Sequence, residues 1–156
     1  MKGSDLAGLV SAGSRFAGAT PDQLDAIAAR ATARTYARGD VLMHQGDAGE
    51  SLSILTSGVV RVSIIAANGR EITLDFLEAG AVVGEIAVLD GQDRTATVTA
   101  HEAVSVMRLS RGAIREILAE RPDFAWQLLG QLARRLRQAN GIDHALQVLA
   151  HQNDIG

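Results

Sequence analysis

The sequence predicts a mainly β protein with flanking helices, its short strands forming an antiparallel sandwich or roll. Three observations carry that prediction. Between about Tyr36 and Leu109, glycines at 39, 46, 49, 58, 69, 80, 84 and 91 cut the chain into short segments, the spacing of an all-β domain with glycine turns. Several segments alternate apolar and polar residues, and two of them flank Asn68-Gly69, the strongest short-range hairpin signal. On both sides of this region the period changes to that of amphipathic helices.

The N-terminal part, 14–35, reads as helical in "ATPDQLDAIAARATARTY". Thr20 caps the helix, Pro21 suits its first position, and Gln23 stands at capping-box spacing from Thr20. Leu24, Ile27, Ala28 and Ala31 then fall on one face, and Phe16 is expected to pack beneath it. Within the roll, 36–109, Val60, Val62 and Ile64 share one face and Ile72, Leu74 and Phe76 face them from the partner strand. "TATVTA" and "AVSVMRL" supply two further strands. The C-terminal part, 110–150, opens with Ser110 capping "RGAIREILAE", which Arg121-Pro122 breaks. A long helix is predicted from about Asp123 toward Ala150, with Trp126 at its start expected in the core. Leu128, Leu132, Arg135, Ala139, Ile142, Leu146 and Leu149 recur at steps of 4 and 3, the a/d spacing of a coiled coil. Gly141 weakens that helix by roughly 1 kcal/mol relative to alanine, which allows a bend or an end there. A stripe of this kind either packs on its own domain or seals a homodimer. The helix is too long for a small roll to cover, so a parallel homodimer through the C-terminal helix is expected.

At 156 residues the chain is expected to be one domain, 1–156. A hydrophobic content of 47% against 21% charged residues argues against disorder. A net charge of −3 gives no footprint for nucleic acid. The absence of cysteine removes disulfides, thiolate metal sites and cysteine nucleophiles, and it fits a reducing compartment. No apolar run approaches the ~20 residues of a membrane span, so a cytoplasmic location is expected. His44, His101, His144 and His151 show no convincing ligand spacing, so no metal is expected. Asp75, Glu78, Glu85 and Asp90 form no acid–base pair by spacing, and no nucleophile motif is present; the chain is read as non-enzymatic.

The segment "GEIAVLDGQDRTATV", 84–98, holds an acid and an arginine nine residues apart on an apolar stretch. A short helix beginning near Gly84 and Glu85 presents free backbone N–H groups, and glycine lets a ligand approach them. Arg94 offers a forked donor for phosphate oxygens. Glu85 cannot bind phosphate but accepts hydrogen bonds from sugar hydroxyls. A nucleotide needs both; the other reading is an internal Glu85–Arg94 ion pair that closes a loop.

Gly84-Glu85-Ile86-Ala87 and Arg94-Thr95-Ala96-Thr97-Val98 resemble the phosphate-binding cassette of the cyclic nucleotide-binding domain family, here spanning 83–98. "RGDVLMHQGDAGESLSILTSGVVRV", 38–62, is similar to that family's first β-roll strands, and "LARRLRQAN", 132–140, resembles the long helix of catabolite-activator-type bacterial regulators. The resemblance covers about 14–150. It implies an antiparallel, jelly-roll-like β-roll that binds cAMP or cGMP as a ligand, with no further cofactor. It also implies roles. Arg94 takes the equatorial phosphate oxygens, assisted by Thr95, Ala96 and the backbone of Gly84, Glu85, Ile86 and Ala87, and Glu85 takes the ribose 2′-hydroxyl. Arg135 lies near that glutamate, and Asn140 contacts the base across the dimer. A hydroxyl at Thr95 is compatible with both cyclic AMP and syn guanine. Val83 stands where the cassette often has an aromatic and Asp93 where it often has proline.

In such regulators the long helix leads into a winged helix-turn-helix. No recognition helix follows here, so DNA binding by this chain is not expected, and Arg134, Arg135 and Arg137 read as a solvated face. The ending is expected to be that of a free-standing receptor module rather than of a regulator cut at its hinge. The expected function is cyclic nucleotide sensing by conformational change, with an unidentified downstream protein partner. The alternatives are a dimeric interaction adaptor with a degenerate pocket, or a receptor for another anion such as cyclic di-GMP.

Overall fold

The computed structural model describes residues 19–139 together with Leu149. The chain falls into two compact units, 1–120 and 121–156. In the first, helix α1 (Pro21–Arg30) precedes β1 (Thr32–Tyr36), β2 (Val41–Met43), β3 (Ser51–Ser57), β4 (Val60–Ile65), β5 (Glu71–Leu77) and β6 (Val82–Val83). The short helix α2 (Glu85–Asp90) then leads to β7 (Thr97–Ala100), β8 (Val104–Ser110) and helix α3 (Arg111–Glu120). The strands form two antiparallel sheets, ordered β1-β8-β3-β6 and β2-β7-β4-β5. Met43, Leu55, Val60, Val83, Val98, Ala100, Val104 and Val106 form one buried cluster drawn from both sheets. The mainly β roll with flanking helices is therefore the fold observed.

Alternation explains how the first sheet is packed on both faces. In β3, Ser51, Ser53 and Leu55 share one face with the core, whereas Leu52 and Ile54 point to the other. Those two pair in register with Leu109 and Met107 of β8. Helices α1 and α3 contact β8 and each other and contribute Leu24, Ile27, Ile114 and Ile117, all buried. Each such aliphatic side chain adds about 1.5–3 kcal/mol by leaving water. Arg30 fastens the two helices through ion pairs to Glu116 (3.5 Å) and Glu120 (2.6 Å).

The predicted capping box is present: Thr20 N donates to Gln23 Oε1 (2.9 Å) and Gln23 N to Thr20 Oγ1 (3.2 Å). Ser110 caps α3 by accepting from Ala113 N at 3.1 Å. The helical reading runs too far, however. Ala31 is an extended cap residue, and residues 32–36 are strand β1, paired with β8. Thr32, Thr35 and Tyr36 are β-formers, and pairing with β8 outweighs the weak helical preference of the intervening alanine and arginine.

The β4–β5 hairpin closes at Asn68-Gly69, where Ala66 N donates to Arg70 O (2.8 Å) and Arg70 N to Asn68 Oδ1 (3.1 Å). Its register corrects the expected common face. A bulge between Val62 and Ser63 leaves Leu74 without a partner and sets Phe76 opposite Arg61, while Ile72 stays opposite Ile64. Phe76 thus lies on the opposite face from Ile72, because one extra residue reverses the alternation.

The second unit holds helix α4 (Pro122–Ala139), which begins at Pro122. Phe124 is buried in it. Trp126, expected in the core, is 78% exposed; Leu129 and Leu136 are 56% and 61% exposed. Leu128 and Leu132 of the predicted seam are half-buried, and Arg134, Arg135 and Arg137 are exposed. Phe16, Ile142 and Leu146 lie outside the described residues. No described helix is long and apolar enough to cross a membrane.

Candidate functional site

Helix α2 is positioned by two glycines. Gly84, its N-cap, has φ 83° in the left-handed region, which glycine enters without the steric cost of a Cβ. A Cβ there would also meet Arg94 Nη1 at 2.5 Å and the Met43 thioether at 2.6–2.7 Å. Gly49 is buried, and a Cβ on it would collide with Ala87, so α2 rests directly on the β2–β3 loop. Ala87 and Val88 are the buried residues of this helix, while Ile86 and Leu89 are exposed.

The loop after α2 is fastened to the same β2–β3 loop. Ala48 and Asp93 form an isolated bridge, Gly46 N donates to Arg94 O (2.9 Å), and Arg94 N donates to Asp47 O (2.7 Å). Asp93 therefore sits in a backbone clasp between the two loops. Arg94 is 9% exposed. Its Nη1 donates to Gly84 O at 2.9 Å and its Nη2 to Ser51 O at 2.6 Å, which engages two of its five N–H donors. Burial first, and then the like charge of Arg108, hold the guanidinium below its ordinary pKa; Glu50, Asp47 and Glu85 oppose that shift. A guanidinium remains charged at neutral pH, so the site holds a partly desolvated cation whose anchors are neutral carbonyls.

Gly84, Glu85, Ile86, Ala87, Arg94, Thr95 and Ala96, all predicted as site residues, line one cavity of about 160 Å³. Glu85 is half-buried at the first turn of α2. It acts on Arg94 at a distance, as the weakest of three carboxylates that favour the charged form. The remaining wall is apolar: Met43, Val62, Leu77, Val82, Val83 and Val98. Sequence reasoning missed this wall, although the strand faces of Val62 and Val98, paired in register, were its available signal. It also missed Ser51, whose contribution to Arg94 is a backbone carbonyl and leaves no mark on residue type. Arg135 lies on α4, in the other unit, and Asn140 lies outside the described residues.

The chemistry on offer is anion recognition beside a hydroxyl acceptor, over an apolar floor. Among the described residues no group of three or more His, Cys, Asp or Glu side chains could hold a metal ion; His144 and His151 lie outside them.

A two-sheet roll that buries an arginine behind a glycine-capped short helix defines a receptor domain for phosphate-bearing ligands. The chain belongs to the cyclic nucleotide-binding domain family, whose profile matches residues 33–121. It is 33% identical over 125 residues to a CRP-like cAMP-activated global transcriptional regulator of Mycobacterium tuberculosis, covering 80% of this chain and 56% of that protein. It is 34% identical over 140 residues to a cyclic AMP receptor protein of Thermus thermophilus, covering 90% of this chain and 61% of the relative. The crystal structure of the N-terminal domain of a Streptomyces coelicolor transcriptional regulator superposes with TM-score 0.73 at 37% identity, covering 80% of this chain and 89% of that domain. The chain therefore spans about half the length of the curated relatives it matches. The Mycobacterium and Streptomyces relatives are transcriptional regulators, in keeping with the non-enzymatic reading.

Proposed function

We propose that this chain is a cyclic nucleotide sensor module of the catabolite-activator type, taking cAMP and acting as a homodimer. Arg94 receives the equatorial phosphate oxygens with the three N–H donors not engaged by Gly84 and Ser51. Thr95 and the backbone of 84–87 complete the phosphate cradle. Glu85 accepts from the ribose 2′-hydroxyl, and the apolar wall receives the sugar edge. The cavity is smaller than the about 300–1,000 Å³ of small-molecule sites, so it holds phosphate and ribose while the base extends past its rim. Arg135 is assigned beside Glu85, and Asn140 to the base across the dimer. Occupancy favours one arrangement of cassette and long helix over another, which is the signal passed to the downstream partner.

The observation that supports this reading best is the convergence of seven predicted site residues on one cavity with a buried guanidinium. Dimerisation is supported by α4, where the exposed Trp126, Leu129 and Leu136, with Ala133 between them, recur at steps of 3, 4 and 3. That is a coiled-coil stripe, displaced by one or two residues from the seam expected from sequence.

The test is thermal unfolding with cAMP, cGMP, cyclic di-GMP and 5′-AMP. A ligand at about 100 times its dissociation constant adds ~2.7 kcal/mol, a shift of about 5–10 °C at this size. The expected result is a shift with cAMP and none with 5′-AMP; cGMP reports whether Thr95 admits guanine. No shift with any cyclic nucleotide rejects the assignment and leaves the adaptor reading.

A further inference from the structure

Arg94 also lines a second cavity, of about 370 Å³, between the sheets. The inner face of the first sheet changes character along its length. Leu55 and Val106, paired in register, belong to the apolar core. Beyond them the same face carries Ser53 directly opposite Arg108, then Ser51. Register with β1 places Arg34 opposite Val106 and Thr32 opposite Arg108, so Arg34 and Arg108 are diagonal neighbours on that face. Arg34, Arg94 and Arg108 all reach the cavity.

Three guanidinium groups around one space repel one another, and the two carboxylates that line it, Asp47 and Glu50, offset two of the three charges. Arg94 and Arg108 are fixed by neutral groups: Arg94 by the Ser51 and Gly84 carbonyls, and Arg108 Nε by Ser51 Oγ at 2.9 Å. Arg34 makes no side-chain hydrogen bond or ion pair among the described residues, and neither does the hydroxyl of Ser53, a residue only 2% exposed. Asp47 and Glu50 also line the cavity, which leaves a surplus of one positive charge and two acceptors for a protonated ligand oxygen.

We propose that this cavity binds a small anion of the phosphate class, one with charged oxygens for the arginines and a hydroxyl for Asp47 or Glu50. Because Arg94 serves both cavities, the anion and the nucleotide oppose one another, each weakening the other by the same factor. The antagonism rests on the nucleotide reading; the anion site does not.

The test uses the full chain and inorganic phosphate, with sodium chloride and sulfate at matched ionic strength. Phosphate is expected to raise the unfolding temperature where chloride does not, and Arg34→Gln to weaken phosphate binding about tenfold, the loss of one charge-assisted contact. Arg34 is exposed on an edge strand and does not line the cassette cavity, so cAMP affinity in phosphate-free buffer should not change in the variant. In wild type, phosphate should raise the apparent dissociation constant for cAMP; in Arg34→Gln that effect should be lost. A phosphate response equal to that of chloride, or identical in the variant, overturns the site. Sulfate binding as well as phosphate overturns the role given to Asp47 and Glu50. Phosphate stabilisation without any cAMP binding supports the site and rejects the nucleotide reading separately.

Discussion

Arg94 is held by carbonyls of two different elements, and that gives it a structural duty beside its binding one. Removing it strands the Ser51 and Gly84 oxygens, which cost about 1–3 kcal/mol when left without a donor. Arg94→Ala is therefore expected to abolish cAMP binding and to lower stability in denaturant titration by about that amount. Arg94→Lys should recover part of the stability but little affinity, since an ammonium lacks the fork. Gly84 is coupled to it: alanine there takes on left-handed strain of roughly 1–2 kcal/mol and pushes into the Arg94 guanidinium. Gly84→Ala should lose affinity more than tenfold in direct binding measurements; unchanged affinity removes the arginine from its assigned place.

Among the elements, the hairpin β4–β5 carries its own pH signature. The Ser63 hydroxyl first, and then Arg61 at 2.8 Å, hold the Glu71 carboxyl below its ordinary 4.5. A depressed carboxylate contributes stability that is present above the unfolded value and is lost as pH falls through the folded one. Denaturant titrations should show that loss beginning below about pH 4.5, and Glu71→Gln should remove it; the effect is small, because the pair faces solvent. The same hairpin marks the limit of legibility. Its turn is written in Asn68-Gly69, and the helix starts are written in Thr20 and Ser110. The bulge at Val62 has no residue signature, and it decides which face Phe76 occupies. The long helix repeats the lesson: leucines at 128, 129, 132 and 136 support two overlapping stripes, and spacing alone does not say which is covered. The cassette was legible because its glycine, acid and arginine are fixed by type, whereas the Ser51 carbonyl that steadies the arginine comes from topology.

For the molecule as a whole, the cassette residues lie in one unit and the exposed stripe of α4 in the other, so the proposed sensing requires the two to be thermodynamically linked. Leu136→Glu places a charge on the stripe, and on the proposed homodimer reading sedimentation should report a dimer for wild type and a monomer for the variant. If Arg135 and Asn140 take part in the ligand site, the monomeric variant binds cAMP more weakly, by the roughly 5–150-fold typical of coupled sites. Linkage then demands that saturating cAMP tighten the wild-type dimer by a factor fixed by the same cycle, and both halves of it can be measured. Equal cAMP affinity in monomer and dimer would confine the binding site to the cassette and leave the long helix a passive clamp, with no route from ligand to partner through α4.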